Sequence, residues 1–138
     1  MVDRLLPERR SWLMSRVRSA DTRPEMTVRS ALHGLGYRYR LHMKGLPGTP
    51  DLVFPARQKV LFVHGCFWHG HSCRMGQASS KTHVEFWDNK IRQNMSRDRH
   101  TIAALRRLGW GVAVVWECQL KKRNGDKWLS RIARFLGP

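Results

Sequence analysis

The stretch His64-Gly65-Cys66-Phe67-Trp68-His69-Gly70-His71-Ser72-Cys73 constrains this chain more than any other. Ten residues hold three histidines, two of the chain's three cysteines and an adjacent Phe-Trp pair. An apolar run, Val60-Leu61-Phe62-Val63, leads straight into it. The order is a buried strand, a glycine-containing loop and then a cluster of metal-capable side chains. A hydrophobic core has no use for that composition. A metal-holding loop at the end of a strand is expected.

The 138 residues suit a basic N-terminal helix or arm over 1–20 followed by one domain over 21–138. Lys and Arg number 26 against 10 Asp and Glu, a formal net charge of +16. Such an imbalance favours a polyanion, held by phosphate contacts and counterion release. In the arm, Arg16 and Arg18 are candidates for DNA-backbone contact. No apolar stretch approaches the length of a membrane span, and no signal-peptide pattern opens the chain. A soluble, intracellular protein is expected, with no membrane partner. Three cysteines are an odd number for disulfides, and intracellular disulfides are uncommon.

Along the chain, Asp21 or Thr22 can cap a helix whose first turn takes Pro24 and Glu25. Val28, Ala31, Leu32 and Leu35 share one face, and Gly34 and Gly36 end the helix. Residues 37–42 alternate as a strand, 51–54 form a short second strand, and 59–64 form a third, making a meander. After a small, polar loop over 76–81, a long helix over 82–108 carries the stripe Trp87, Ile91, Met95, Ile102 and Leu105. Asp98 falls on that stripe, one turn after Asn94. A carboxylate on an apolar face needs a partner or a function. The run Val112-Ala113-Val114-Val115-Trp116 reads as a central parallel strand. With 59–64 and the long helix it forms a βαβ crossover. A last amphipathic helix spans 126–136.

Parallel strands end on one edge of a sheet. Cys66 lies two residues past His64, and Cys118 two residues past Trp116, so both thiols are expected there. With His71 and Cys73 they form a Cys₃His set, the donors of a closed tetrahedral Zn²⁺ site. His69 could replace His71, and inert buried thiols are the alternative to any metal. Asp51 starts a strand next to the one ending at His64, and a carboxylate at a sheet edge in so basic a chain is a natural Mg²⁺ ligand.

The segments Pro47-Gly48-Thr49-Pro50-Asp51, His64-Gly65-Cys66-Phe67-Trp68-His69, Glu85-Phe86-Trp87, Asn94 with Arg97-Asp98, and Gly109-Trp110 followed by Val115-Trp116-Glu117-Cys118 resemble the very-short-patch repair endonucleases (Vsr). The resemblance implies an α/β, restriction-endonuclease-like core: a mixed central sheet flanked by helices, with a structural zinc. It implies a strand-specific nick 5′ of the T in T:G mismatches left by 5-methylcytosine deamination. Asp51 would hold Mg²⁺ with the backbone carbonyl of Val63, and two Mg²⁺ ions would be present with DNA bound. His69 would be the general base, Asp98 would orient it, Glu25 would hold metal-bound water, and His64 would support the scissile phosphate or the metal site. Phe67, Trp68 and Trp87 would wedge beside the mismatch, with Asn94 in DNA contact. Trp87 also fits the apolar stripe. A monomer in the prokaryotic cytoplasm, at the nucleoid, with mismatch-repair proteins as partners, completes the expectation.

The chemistry is coherent by itself. A divalent ion stabilises charge on phosphate, histidine titrates near neutrality, and a carboxylate fixes its tautomer. Apolar wedges unstack a mismatched step most cheaply. The chain departs from the family in having Val63 where threonine is usual, Gly70 where a bulkier residue is usual, and a shorter C-terminal segment. Strand 59–64 also lacks the second carboxylate of most restriction-like nucleases, as does the family. Two other readings remain open: a nickase of different or relaxed specificity, for instance in defence, and a non-catalytic zinc-containing DNA-binding protein.

Overall fold

The computed structural model describes residues 22–71, 73 and 84–138, with residues 84–87 described by backbone alone. The basic arm with Arg16 and Arg18, the Asp21 cap, the 76–81 loop and the Trp87 side chain lie outside the described residues. The described chain is mixed α/β: helix α1 (Arg23–Gly34), strands β1 (Arg40–Leu41), β2 (Leu52–Phe54) and β3 (Lys59–His64), helix α2 (Val84–Arg107), strand β4 (Gly111–Trp116) and helix α3 (Lys127–Leu136). Short 3₁₀ turns cover Pro55–Arg57, Glu117–Leu120 and Lys122–Asn124. No helix among the described residues is long and apolar enough to cross a membrane.

The sheet has the order β1-β2-β3-β4. The first three strands form the expected antiparallel meander, and β4 joins β3 in parallel. Period-two alternation divides the apolar residues between two faces. Leu52, Phe54, Leu61 and Val115 pack with Val28 and Leu32 of α1 and Trp128, Ile132 and Leu136 of α3. Val53, Val60 and Phe62 face the other way, onto Leu105 of α2. Burying each such side chain contributes about 1.5–3 kcal/mol. The α2 link between β3 and β4 is the expected crossover.

Thr22 caps α1, its hydroxyl accepting from the Glu25 amide at 3.3 Å. Three expectations shift. The 37–42 strand contracts to two residues because Tyr37 and Tyr39 leave the ladder to pack edge-on against Phe54. Tyr37 donates from its hydroxyl to the Gly137 carbonyl at 2.7 Å, and Arg57 donates to the Leu136 carbonyl at 3.0 Å, satisfying the open end of α3. The 112–116 run is not central: β4 lies at the end of the described sheet. Its continuous apolarity comes from cover on both faces, since Val115 packs in the α1–α3 cluster and Val112 and Val114 in the α2 cluster.

Candidate active site

Register places the site. His64 pairs with Trp116 at the shared end of β3 and β4. Beyond β4, the 3₁₀ turn Glu117–Leu120 swings Cys118 toward the loop after β3, and the Cys118 amide donates to Cys66 Sγ at 3.3 Å. His71 Nδ1 lies 3.6 Å from Cys118 Sγ. Cys66, His71, Cys73 and Cys118 each offer a ligand atom within 4.8 Å of all the others. All three thiols are free of disulfides. Without a cation, burial pushes the Cys66 thiol up to about 12, and the Cys73 and Cys118 thiols add to the rise. A bound cation reverses that balance by favouring the thiolates. Three sulfurs and one imidazole at this spacing fit a closed tetrahedral zinc.

His69 is not part of that set. Its Nδ1 lies 2.6 Å from Asp98 Oδ2 on α2. The carboxylate fixes the proton on Nδ1 and leaves the lone pair on Nε2. Alternation along β3 puts His64 on the α2 side with Val60 and Phe62, and the His64 and His69 rings stack at 3.8 Å and 3°. Burial first, and then His69, lower the His64 pKa to about 4, against the pull of Asp98. His64 Nδ1 is buried with no hydrogen-bond partner among the described residues. A buried orphan donor or acceptor beside a paired histidine points to a group still to arrive. Trp116 separates the two centres. It stacks on His71 at 4.2 Å and meets His64 edge-on at 5.2 Å.

A third cluster adjoins them. Asp51 Oδ2 accepts from the Val63 amide at 2.7 Å. The N–H and C=O of one strand residue point to the same side, so the Val63 carbonyl faces the Asp51 side. Burial raises Asp51 from the ordinary 3.8 to about 7; Glu25 adds to the rise and the Val63 N–H opposes it. Glu25, 1% exposed, pairs with Arg29 and meets His42 Nε2 at 3.0 and 3.1 Å. Glu25, His42 and Asp51 offer ligand atoms within 4.8 Å of one another, a donor set able to hold a divalent ion.

No sequence motif marks His42 as a site residue. The hairpin register places it: Arg40 pairs with Val53 and Leu41 with Leu52, so the next step sets 42 opposite 51. The His42 amide does donate to the Asp51 carbonyl, at 3.2 Å.

Phe67 and Trp68 meet edge-on at 5.2 Å and are half-buried rather than fully exposed. Asn94 donates from its amide to the Trp68 carbonyl at 3.0 Å and accepts from Arg97 at 2.8 Å, tying the loop to α2. Gly70 has its own reason. It sits at φ 64°, and a Cβ there would run into Met95 and come within 2.9 Å of Ile91 Cγ2. Gly70→Ala is therefore expected to cost about 1–2 kcal/mol in a thermal melt and to slow nicking, through backbone strain and overpacking. An unchanged melt would show that the loop does not rest on α2 as described.

Comparison with known proteins gives the family of the chain. The family model described as DNA mismatch endonuclease Vsr matches residues 2–75. The "Type II nicking enzyme V.XorIIP" of Xanthomonas oryzae pv. oryzae is 62% identical over 138 residues, covering 100% of this chain and 99% of that protein. The "Type II nicking enzyme V.NmeAIP" of Neisseria meningitidis serogroup A is 42% identical over 123 residues, 89% of this chain and 87% of that protein. The "DNA mismatch endonuclease Vsr" of Escherichia coli K12 is 43% identical over 115 residues, 83% of this chain and 73% of that protein. With a paired histidine and two further metal-capable clusters gathered at one sheet edge, and these relatives spanning most of its length, the chain belongs to the Vsr family of DNA mismatch endonucleases and is a DNA endonuclease.

Proposed function

We propose that this chain nicks one strand of a duplex 5′ of the T in a T:G mismatch, acting as a monomer on a restriction-endonuclease-like core. The observation that carries the reading is the 2.6 Å contact of His69 Nδ1 with Asp98, stacked on His64 beside the Asp51 cluster. His69 Nε2 takes the proton of the attacking water, and Asp98 steadies the resulting imidazolium. Asp51 and the Val63 carbonyl are the residues that would hold Mg²⁺. When bound, such an ion offsets the charge that builds on the attacked phosphate and leaving oxygen. Glu25, engaged by Arg29 and His42, keeps the carboxylate cluster in register. His64, whose pKa burial lowers to about 4 in the free protein, meets the scissile phosphate as a hydrogen-bond partner. Cys66, His71, Cys73 and Cys118 would hold Zn²⁺, bracing the loop that carries His69 together with Phe67 and Trp68. Those two rings wedge into the duplex beside the mismatch, where unstacking costs least.

A second reading, nicking of relaxed or different specificity, draws support from relatives named as Type II nicking enzymes. Labelling each strand of a T:G duplex in turn decides how the cut falls. A single nick, in the T strand and on the 5′ side of the T, is the expected product. Cuts in both strands, or at other steps, would favour the second reading.

A further inference from the structure

We propose that His42 is a nitrogen ligand of the divalent ion at Asp51 and tilts that centre toward Mn²⁺ and similar cations over Mg²⁺. The inference rests on the reading of Asp51 as the ion-holding carboxylate.

Three observations carry it. His42 Nε2 lies 3.0 and 3.1 Å from the two Glu25 oxygens and 4.0 Å from Asp51 Oδ1. Ligands of one octahedral ion at about 2.1 Å stand about 3.0 Å apart across a right angle and about 4.2 Å apart when opposite. The short pair are hydrogen bonds of the imidazole to Glu25, and Glu25, His42 and Asp51 each offer a ligand atom within 4.8 Å of the others, close enough to share one ion. Second, His42 is held at φ 44°, in the left-handed region, which histidine enters more readily than most non-glycine residues. Its amide bond to the Asp51 carbonyl fixes it there, and strain of this kind gathers at sites where a side chain must be aimed. Third, the His42 side chain is 26% exposed and that of Asp51 16%, while Glu25 is 2% exposed, so the imidazole and the Asp51 carboxylate are both open to an ion from solvent.

The chemistry then selects the cation. Mg²⁺ takes oxygen ligands and keeps its waters, whereas imidazole nitrogen suits first-row transition metals. One imidazole added to the Asp51 carboxylate and the Val63 carbonyl shifts the preference from Mg²⁺ toward first-row ions, Mn²⁺ among them. The neighbouring charges are consistent with this: Arg29 pairs with Glu25 and offsets one carboxylate, leaving a site whose preference is decided by ligand softness more than by charge.

The test loads the zinc-replete protein with Mn²⁺ and reads directly bound nitrogen by electron spin-echo modulation. Nitrogen modulation is expected in the wild type and in His69→Ala, and should vanish in His42→Asn. Asparagine is chosen because it tolerates the left-handed conformation. If that variant lost its helical circular dichroism, His42→Gly, which adopts that conformation without strain, would take its place. Mn²⁺ affinity of the His42 variant should fall on the order of tenfold, and Mg²⁺ affinity by less. No modulation in the wild type, or modulation that survives loss of His42, overturns the proposal. Asp51→Asn separates the two claims. Mn²⁺ binding that ignores Asp51→Asn sinks the Asp51 reading itself, whereas binding that needs Asp51 but shows no His42 nitrogen sinks only the ligand assignment.

Discussion

His69→Ala is expected to lower single-turnover nicking of a T:G duplex by about 10²–10⁴-fold, the range general-base catalysis supplies. Binding of the uncleaved duplex should survive, because the net +16 charge and the loop aromatics are untouched. Asp98→Asn should follow in the same direction. An amide in place of the Oδ2 that sits 2.6 Å from Nδ1 can present its NH₂ to the ring, favouring the tautomer with its lone pair facing the wrong way. Its effect should not add to that of His69→Ala, since the two residues act as one unit. Gel-shift and nicking measurements on the same preparations check both halves. Nicking retained in His69→Ala would remove this histidine from the mechanism.

The second large effect is expected on loss of zinc. One tightly bound Zn²⁺ per chain should be found by metal analysis. Cys118→Ala should abolish it, because Cys118, as a ligand, would tie the end of β4 to the loop after β3. Structural zinc in small peptides is worth about 10–16 kcal/mol of apparent binding energy. Here the sheet and its two apolar clusters stand apart from the loop, so only part of that energy reaches global stability. A loss of about 3 kcal/mol would lower Tm by on the order of 10 °C. Nicking should fall with it, because the stack of His71 on Trp116 and of His64 against the same ring transmits loop disorder to His69. A zinc-free chain with an unchanged melt would overturn the assignment.

Much of this site can be read in the sequence because strand geometry is simple. Two parallel strands with a cysteine two residues past each end must bring Cys66 and Cys118 together, and they do. Asp98 is legible as a charge on an apolar helix stripe, and its partner is found across the helix–sheet gap. The division of labour between His69 and His71 is not legible. It depends on a turn in which the His69 amide bonds to the Gly65 carbonyl at 3.2 Å and the His71 amide to the Cys66 carbonyl at 3.0 Å. Gly70 at φ 64° reverses the chain between them, sending one ring to Asp98 and the other to Cys118. No periodicity encodes such a turn.

His42 is illegible for a different reason. The alternation over 37–42 marks strand character, but the partner opposite 42 is set by the hairpin register, which the Gly/Pro segment over 44–50 obscures. The place of β4 at the end of the described sheet is not legible, because apolarity reports cover on the faces and says nothing about neighbours in the sheet.

The most direct test of the account is single-turnover nicking of two duplexes differing only by T:G in place of C:G, each with a divalent ion and with a chelator. The account predicts ion-dependent cutting of the T:G duplex alone, on the 5′ side of the T. Equal cutting of both duplexes, or cutting that persists without the ion, would contradict it.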